Sequence, residues 1–118
     1  MSFLLALAVG IAGGVGAALR YLVDNAVPAK ARARYPWGIA LVNLTGSFAL
    51  GALTGILPGV WLTVIGTGML GGYTTFSTAA VDAARLLMDR KITVGVVGTL
   101  ATLVGCVALA AAGYAIFA

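Results

Sequence analysis

Gly71-Gly72-Tyr73-Thr74-Thr75-Phe76-Ser77-Thr78 sets two glycines and a run of hydroxyl side chains inside an otherwise apolar stretch. The stretch, Val60 to Met88, reads as membrane-spanning, and a bilayer core offers no water for loose backbone groups. Paired glycines followed by β-branched threonines weaken a helix at that point. Broken backbone at membrane depth persists only where protein buries it or where it lines a wet or ion-bearing cavity. The octet therefore predicts a site for a small polar or charged solute inside the membrane.

Other polar side chains within apolar stretches are candidates for the same chemistry. Asn43 stands in Val42-Asn43-Leu44-Thr45-Gly46-Ser47. An intramembrane amide either clamps a neighbouring helix or donates hydrogen bonds to a solute, and its NH₂ group suits an anion. Phe76 is either apolar filler or a ring whose positive edge faces an anion. Thr102 and Cys106 are four residues apart and so share one helix face, with Thr99 three residues before Thr102. Such hydroxyls form a polar track, or else bond back to their own backbone. Arg20 closes the first apolar stretch, as an interfacial anchor or as a draw for anions. Asp82 is within i,i+3 reach of Arg85 and reads as a solvated or paired carboxylate.

These residues need membrane helices to position them. The 118-residue chain is 62% apolar and 8% charged, with a mean hydropathy of +1.11; soluble domains carry about 25% charged residues. Apolar stretches cover residues 3–23, 37–57, 60–88 and 92–117, each reaching the ~20 residues that cross ~30 Å of hydrocarbon. The expectation is one all-α, four-span membrane domain over residues 1–118, with the third span broken near mid-membrane. The first span lacks a basic segment before it and a small-residue cleavage site after it, so it does not read as a signal peptide. Small residues along the spans, such as Gly13, Gly14, Gly46, Gly51, Gly105 and Gly113, let backbones approach closely in lipid. A subunit this thin cannot enclose a pore alone, which points to a dimer.

Charge and cysteine use narrow the function. Histidine is absent, no Cys/His/carboxylate cluster has metal-ligand spacing, and Cys106 is the single cysteine, so no intrachain disulfide forms. All 7 basic residues (Arg20, Lys30, Arg32, Arg34, Arg85, Arg90, Lys91) fall on the side of loops 24–36 and 88–92. They flank membrane spans, so lipid and not nucleic acid is their partner. Basic loops stay cytoplasmic, which predicts both termini outside.

Three blocks, in order along the chain, resemble the bacterial fluoride channel family (Fluc, also called CrcB). Gly13-Gly14-Val15-Gly16-Ala17-Ala18-Leu19-Arg20-Tyr21 is similar to the family's GGxxGAxxRY signature. Pro36-Trp37-Gly38 through Val42-Asn43-Leu44-Thr45-Gly46-Ser47-Phe48 is similar to PxGTLxVNxxGSF, and Gly71 through Thr78 to GGxTTFSTF. The resemblance implies an antiparallel, dual-topology dimer in the cell membrane, with two fluoride pathways and a structural sodium ion on the twofold axis. Sodium would be held by the backbone carbonyls of Gly71 and Thr74 from both subunits. Asn43, Phe76, Thr75 and Ser77 would line the pathway, Arg20 would stand in the vestibule, and Thr102 and Cys106 would continue the track on the fourth helix.

This chain departs from the pattern at Ala79, in place of a second phenylalanine, and at Ile39, in place of a threonine. Gly98 stands where many relatives have a tyrosine, and Cys106 where they have a serine. A subunit that inserts both ways needs a basic bias near zero, whereas this one has a full bias. A heterodimer with a paralogous subunit of opposite bias is therefore expected over a homodimer. A non-conducting or half-conducting partner subunit is the alternative. A small four-helix multidrug exporter is the remote one, since no acidic residue precedes Asp24 to carry coupled protons.

Overall fold

The computed structural model describes residues 2–118 and is helical almost throughout. Helix α1 (Phe3–Ala26) starts where the Ser2 hydroxyl accepts the Leu5 N–H at 3.1 Å, satisfying one of the free donors of a first helical turn. It stops at extended Val27, whose backbone Pro28 keeps out of the helical region. Residues 24–36 were expected to form a loop, yet Pro28 opens a short helix, α2 (Ala29–Arg34). Alternating alanine, lysine and arginine are strong helix formers, and proline suits a helix start. Extended Tyr35 ends it before Pro36, and α3 (Trp37–Ile56) follows.

The stretch expected as the third span is not one helix. It comprises α4 (Gly59–Trp61), π-helical turns over Leu62–Leu70, and α5 (Gly71–Tyr73). Extended Thr74 and Thr75 interrupt it before α6 (Phe76–Met88). A tight turn, with Arg90 at φ 62°, leads to α7 (Ile92–Phe117). Helices α1, α3 and α7 are long and apolar enough to cross a membrane; neither half of the broken stretch reaches ~20 residues alone. The interruption falls within the Gly71–Thr78 octet, where it was expected: the glycines stay helical and the extended residues are the threonines after them. Gly72 instead serves close packing, because a Cβ there would overlap the Gly13 carbonyl of α1.

Backbone contact of this kind organises the bundle. A Cβ on Gly51 would overlap the Ala110 carbonyl and one on Gly113 the Phe48 carbonyl, so α3 and α7 meet backbone to backbone. A Cβ on Gly16 would overlap the Met69 carbonyl, which seats α1 against the π-helical turns. Lipid is as apolar as leucine, so dispersion between closely approaching backbones replaces the burial of large side chains. Among the described residues, Val42 is accordingly the only large side chain fully buried, while Leu, Ile and Val residues of α1 and α7 face outward.

One end of the bundle gathers Asp24 beside Gly38, Tyr35 on Gly98, and Leu86 and Leu87 on Gly95. The opposite end gathers Ala118 beside Gly55 and an edge-on Phe48–Phe117 ring pair with centroids 6.3 Å apart. The basic loops therefore share one end of the fold and the C-terminus lies at the other.

Gly51→Ala should destabilise the protein by about 1–3 kcal/mol, the usual cost of overpacking a contact that cannot yield. Gly10→Ala, where an added methyl meets nothing, should be neutral or slightly stabilising. Unfolding of the two variants in detergent compares them directly; equal loss in both would contradict this packing.

Candidate functional site

The site is built on the break between α5 and α6. Asn43, on α3, reaches across with both ends of its amide: Nδ2 donates to the Thr75 carbonyl at 2.9 Å, and Oδ1 accepts the Thr75 N–H at 2.8 Å. One side chain thus satisfies both backbone groups of a residue that left the helix. An amide is the smallest side chain group carrying an acceptor and a donor in one plane, which is why asparagine can do this and serine cannot. Of the two readings open for Asn43, the clamp is realised, and the second hydrogen of Nδ2 is left over.

The rest of the break follows from the same logic. The Thr75 hydroxyl caps α6 by accepting the Thr78 N–H at 3.2 Å, donates to the Thr78 hydroxyl at 3.2 Å and lies 3.4 Å from that of Ser77. Thr74 turns its own hydroxyl back to the Leu70 carbonyl at 2.9 Å. The carbonyls of Gly71, Gly72, Tyr73 and Thr74 lose their helical donors as a result. The N–H four residues beyond Gly71 belongs to Thr75 and goes to Asn43; the one four residues beyond Thr74 belongs to Thr78 and goes to the Thr75 hydroxyl. Such carbonyls, at the negative end of one half-helix, are suited to a small hard cation, Gly71 and Thr74 among them. The N-terminus of α6, the positive end of the other half-helix, is suited to an anion.

Beside the break, α3, α6 and α7 enclose a groove of about 850 Å³. It brings together Asn43, Thr75, Phe76, Thr102 and Cys106, together with Gly71 and Thr74. Thr75 is buried, whereas the Phe76 ring is 88% exposed and stands free at the groove edge. Ser77 and Arg20 are not in the groove wall: Ser77 is exposed on the first turn of α6 and Arg20 is half-buried on α1. Ala79 and Ile39, two of the departures, line the groove.

Tyr35 lines it as well, with its phenol 3.1 Å from the Thr102 hydroxyl. Nothing in the sequence around Tyr35 marks this contact. Its partner is 67 residues away, beyond the reach of any local spacing.

A family model for "CrcB-like protein, Camphor Resistance (CrcB)" matches residues 7–114. The chain belongs to the CrcB family. Among CrcB relatives, Fluoride-specific ion channel FluC 1 of Leifsonia xyli subsp. xyli is 45% identical over 96 residues, 77% of this chain and 70% of the relative. Fluoride-specific ion channel FluC 2 of Geobacillus kaustophilus is 40% identical over 115 residues, covering 92% and 89% of the two chains. FluC 1 of Ligilactobacillus salivarius is 39% identical over 104 residues, covering 87% and 90%. The three apolar helices and the family together identify a multi-pass membrane protein, and the family is one of ion channels and not of enzymes.

Asn43→Ala should destabilise the fold, because it leaves the N–H and C=O of Thr75 without partners at about 1–3 kcal/mol each. Thr75→Ala should cost about 1 kcal/mol through loss of the α6 cap. Thermal unfolding in detergent reads both; an Asn43→Ala protein as stable as the parent would mean that the amide does not hold the break.

Proposed function

We propose that this chain is a subunit of a fluoride-specific channel that lets fluoride leave the cytoplasm passively. The observation that carries the reading is the break held by Asn43, with a spare amide hydrogen and a free Phe76 ring at the groove beside it. Fluoride is small and strongly hydrated, so a selective path must replace its water with closely placed donors. The second Asn43 hydrogen, the hydroxyl of Thr102 and the positive edge of Phe76 are donors of that kind, with Cys106 a weaker one, and Thr75 would join them by turning its hydrogen away from the Thr78 hydroxyl. Ser77 would join them as a donor at the mouth of the path, and Arg20 would raise the local fluoride concentration at the entrance. The relatives named fluoride-specific ion channels support the same substrate.

The working assembly is an antiparallel dimer of four-span subunits. An aromatic ring that is 88% exposed at the break, and a groove open along one side, are what a subunit awaiting a partner would present. The carbonyls of Gly71 and Thr74 fit a sodium ion: they are neutral oxygen donors without helical partners, and an opposing subunit would contribute the same pair. Sodium, when bound, supplies a fixed positive charge and joins the subunits. With all 7 basic residues toward one end, this chain inserts with both termini outside, so the favoured mate is a paralogous chain of opposite bias. Ala79 and Cys106, which weaken this subunit's own wall, favour a second reading in which the mate lines the live pathway.

Liposomes carrying the assembled channel should release fluoride down its gradient without a proton gradient, and retain chloride. Comparable chloride release, or strict proton dependence, would sink the channel reading. Phe76→Ile should cut flux at least ~10-fold if that ring edge faces the ion, since an aliphatic chain offers no positive edge; parental flux in this variant would move the pathway to the mate. Cysteines placed at either terminus of a Cys106→Ser background should label from outside intact cells; labelling from both sides would overturn the single orientation and the heterodimer with it.

A further inference from the structure

Several threonines in this fold return their hydroxyls to the carbonyl four residues earlier: Thr45 to Leu41, Thr54 to Leu50, Thr63 to Gly59 and Thr74 to Leu70. That is the ordinary resting place of a hydroxyl in a membrane helix. Thr102 differs. It faces the phenol of Tyr35, a residue outside both α2 and α3, at 3.1 Å. The Tyr35 ring reaches it by lying on the bare backbone of Gly98, where any Cβ would overlap the ring. The ring is 9% exposed and is held edge-on by Trp37, with centroids 5.0 Å apart.

We infer that Tyr35 is an ion-contacting residue of the fluoride path, delivering through space the phenol hydrogen that Gly98 cannot supply from α7. This rests on the fluoride-channel reading. Two paired hydroxyls hold two hydrogens and need only one for their mutual bond, so the pair keeps one to offer a passing anion. A phenol is a more acidic hydroxyl than that of serine or threonine and so the stronger neutral donor. The pair is in the wall of the groove that also holds Asn43, Thr75 and Phe76. Burial of the ring fixes the hydroxyl in place, so no ordering is needed when the ion arrives. Gly98 is thus the space that admits the phenol, and Tyr35 joins Thr102 and Cys106 of α7 in the groove wall.

The test compares Tyr35→Phe, Thr102→Ala, their double variant and Tyr35→Ala/Gly98→Tyr, each assembled in liposomes. Tyr35→Phe keeps the ring, so assembly and melting temperature should hold while fluoride flux falls roughly 10-fold, the scale of one hydrogen bond to a charged group. The double variant should be no worse than its poorer single variant. Moving the phenol onto α7 in Tyr35→Ala/Gly98→Tyr should recover most of the flux. Parental flux in Tyr35→Phe, or additive losses in the double variant, would overturn the inference. Flux of the parent itself tests the channel reading. Tyr35 is read independently by near-UV difference absorbance during a fluoride titration, with chloride as control. A fluoride signal abolished by Tyr35→Phe supports the contact; one that persists in that variant, or no signal in the parent, contradicts it.

Discussion

Two hydrogen bonds from one amide hold open a helix that the membrane would otherwise force shut. In hydrocarbon, an unpaired backbone N–H or C=O costs several kcal/mol, so a break is stable only if its groups find partners within the protein. Asn43 provides both partners for Thr75, and the Thr75 hydroxyl then caps α6. The polar site follows from that arrangement. The carbonyls of Gly71 and Thr74 lose their helical donors because those donors are engaged elsewhere, and half-helix ends of opposite polarity lie on either side of the two extended residues. Removing the amide would favour rejoining the helix or admitting water, and either would erase the site.

The packing around the break serves it. Glycine at Gly72 and Gly16 lets α1 press against the helix leading to the break, and Gly51 and Gly113 bring α3 and α7 together. Asn43 is carried on α3 and the Thr102–Cys106 line on α7, so the same backbone contact that stabilises the pair sets the width of the groove. Stability and site geometry therefore rest on the same small residues, and a methyl group at Gly51 acts on both.

Much of this was legible in the sequence, for reasons particular to each part. The helices were readable because apolar length is a direct consequence of bilayer thickness. That a break existed within Gly71–Thr78 was readable from hydroxyls and glycines at membrane depth, but not which of those residues leave the helix. Glycine permits both a kink and a close approach, and only the neighbour, Gly13, decides in favour of the latter at Gly72. The π-helical turns over Leu62–Leu70 carry no periodic signature. The α2 helix was obscured because a run of lysine and arginine reads equally as loop or as helix. Asn43 was identifiable as unusual, yet its role depended on a partner 32 residues away. Tyr35 had no local signal at all, since only the missing side chain of Gly98 makes room for its ring.

The most direct test of the account is whether fluoride meets the amide that holds the break. Asparagine occurs at Asn25 and Asn43, so with Asn25→Gln a ¹⁵N-asparagine label reports on Asn43 alone. Dipolar recoupling between ¹⁹F of bound fluoride and the Asn43 side-chain nitrogen, in the assembled channel in lipid, measures their separation. The account predicts hydrogen-bonding distance, about 3 Å or less, with the Thr75 contacts of the amide retained. Fluoride bound in the channel with no coupling to that nitrogen would contradict it.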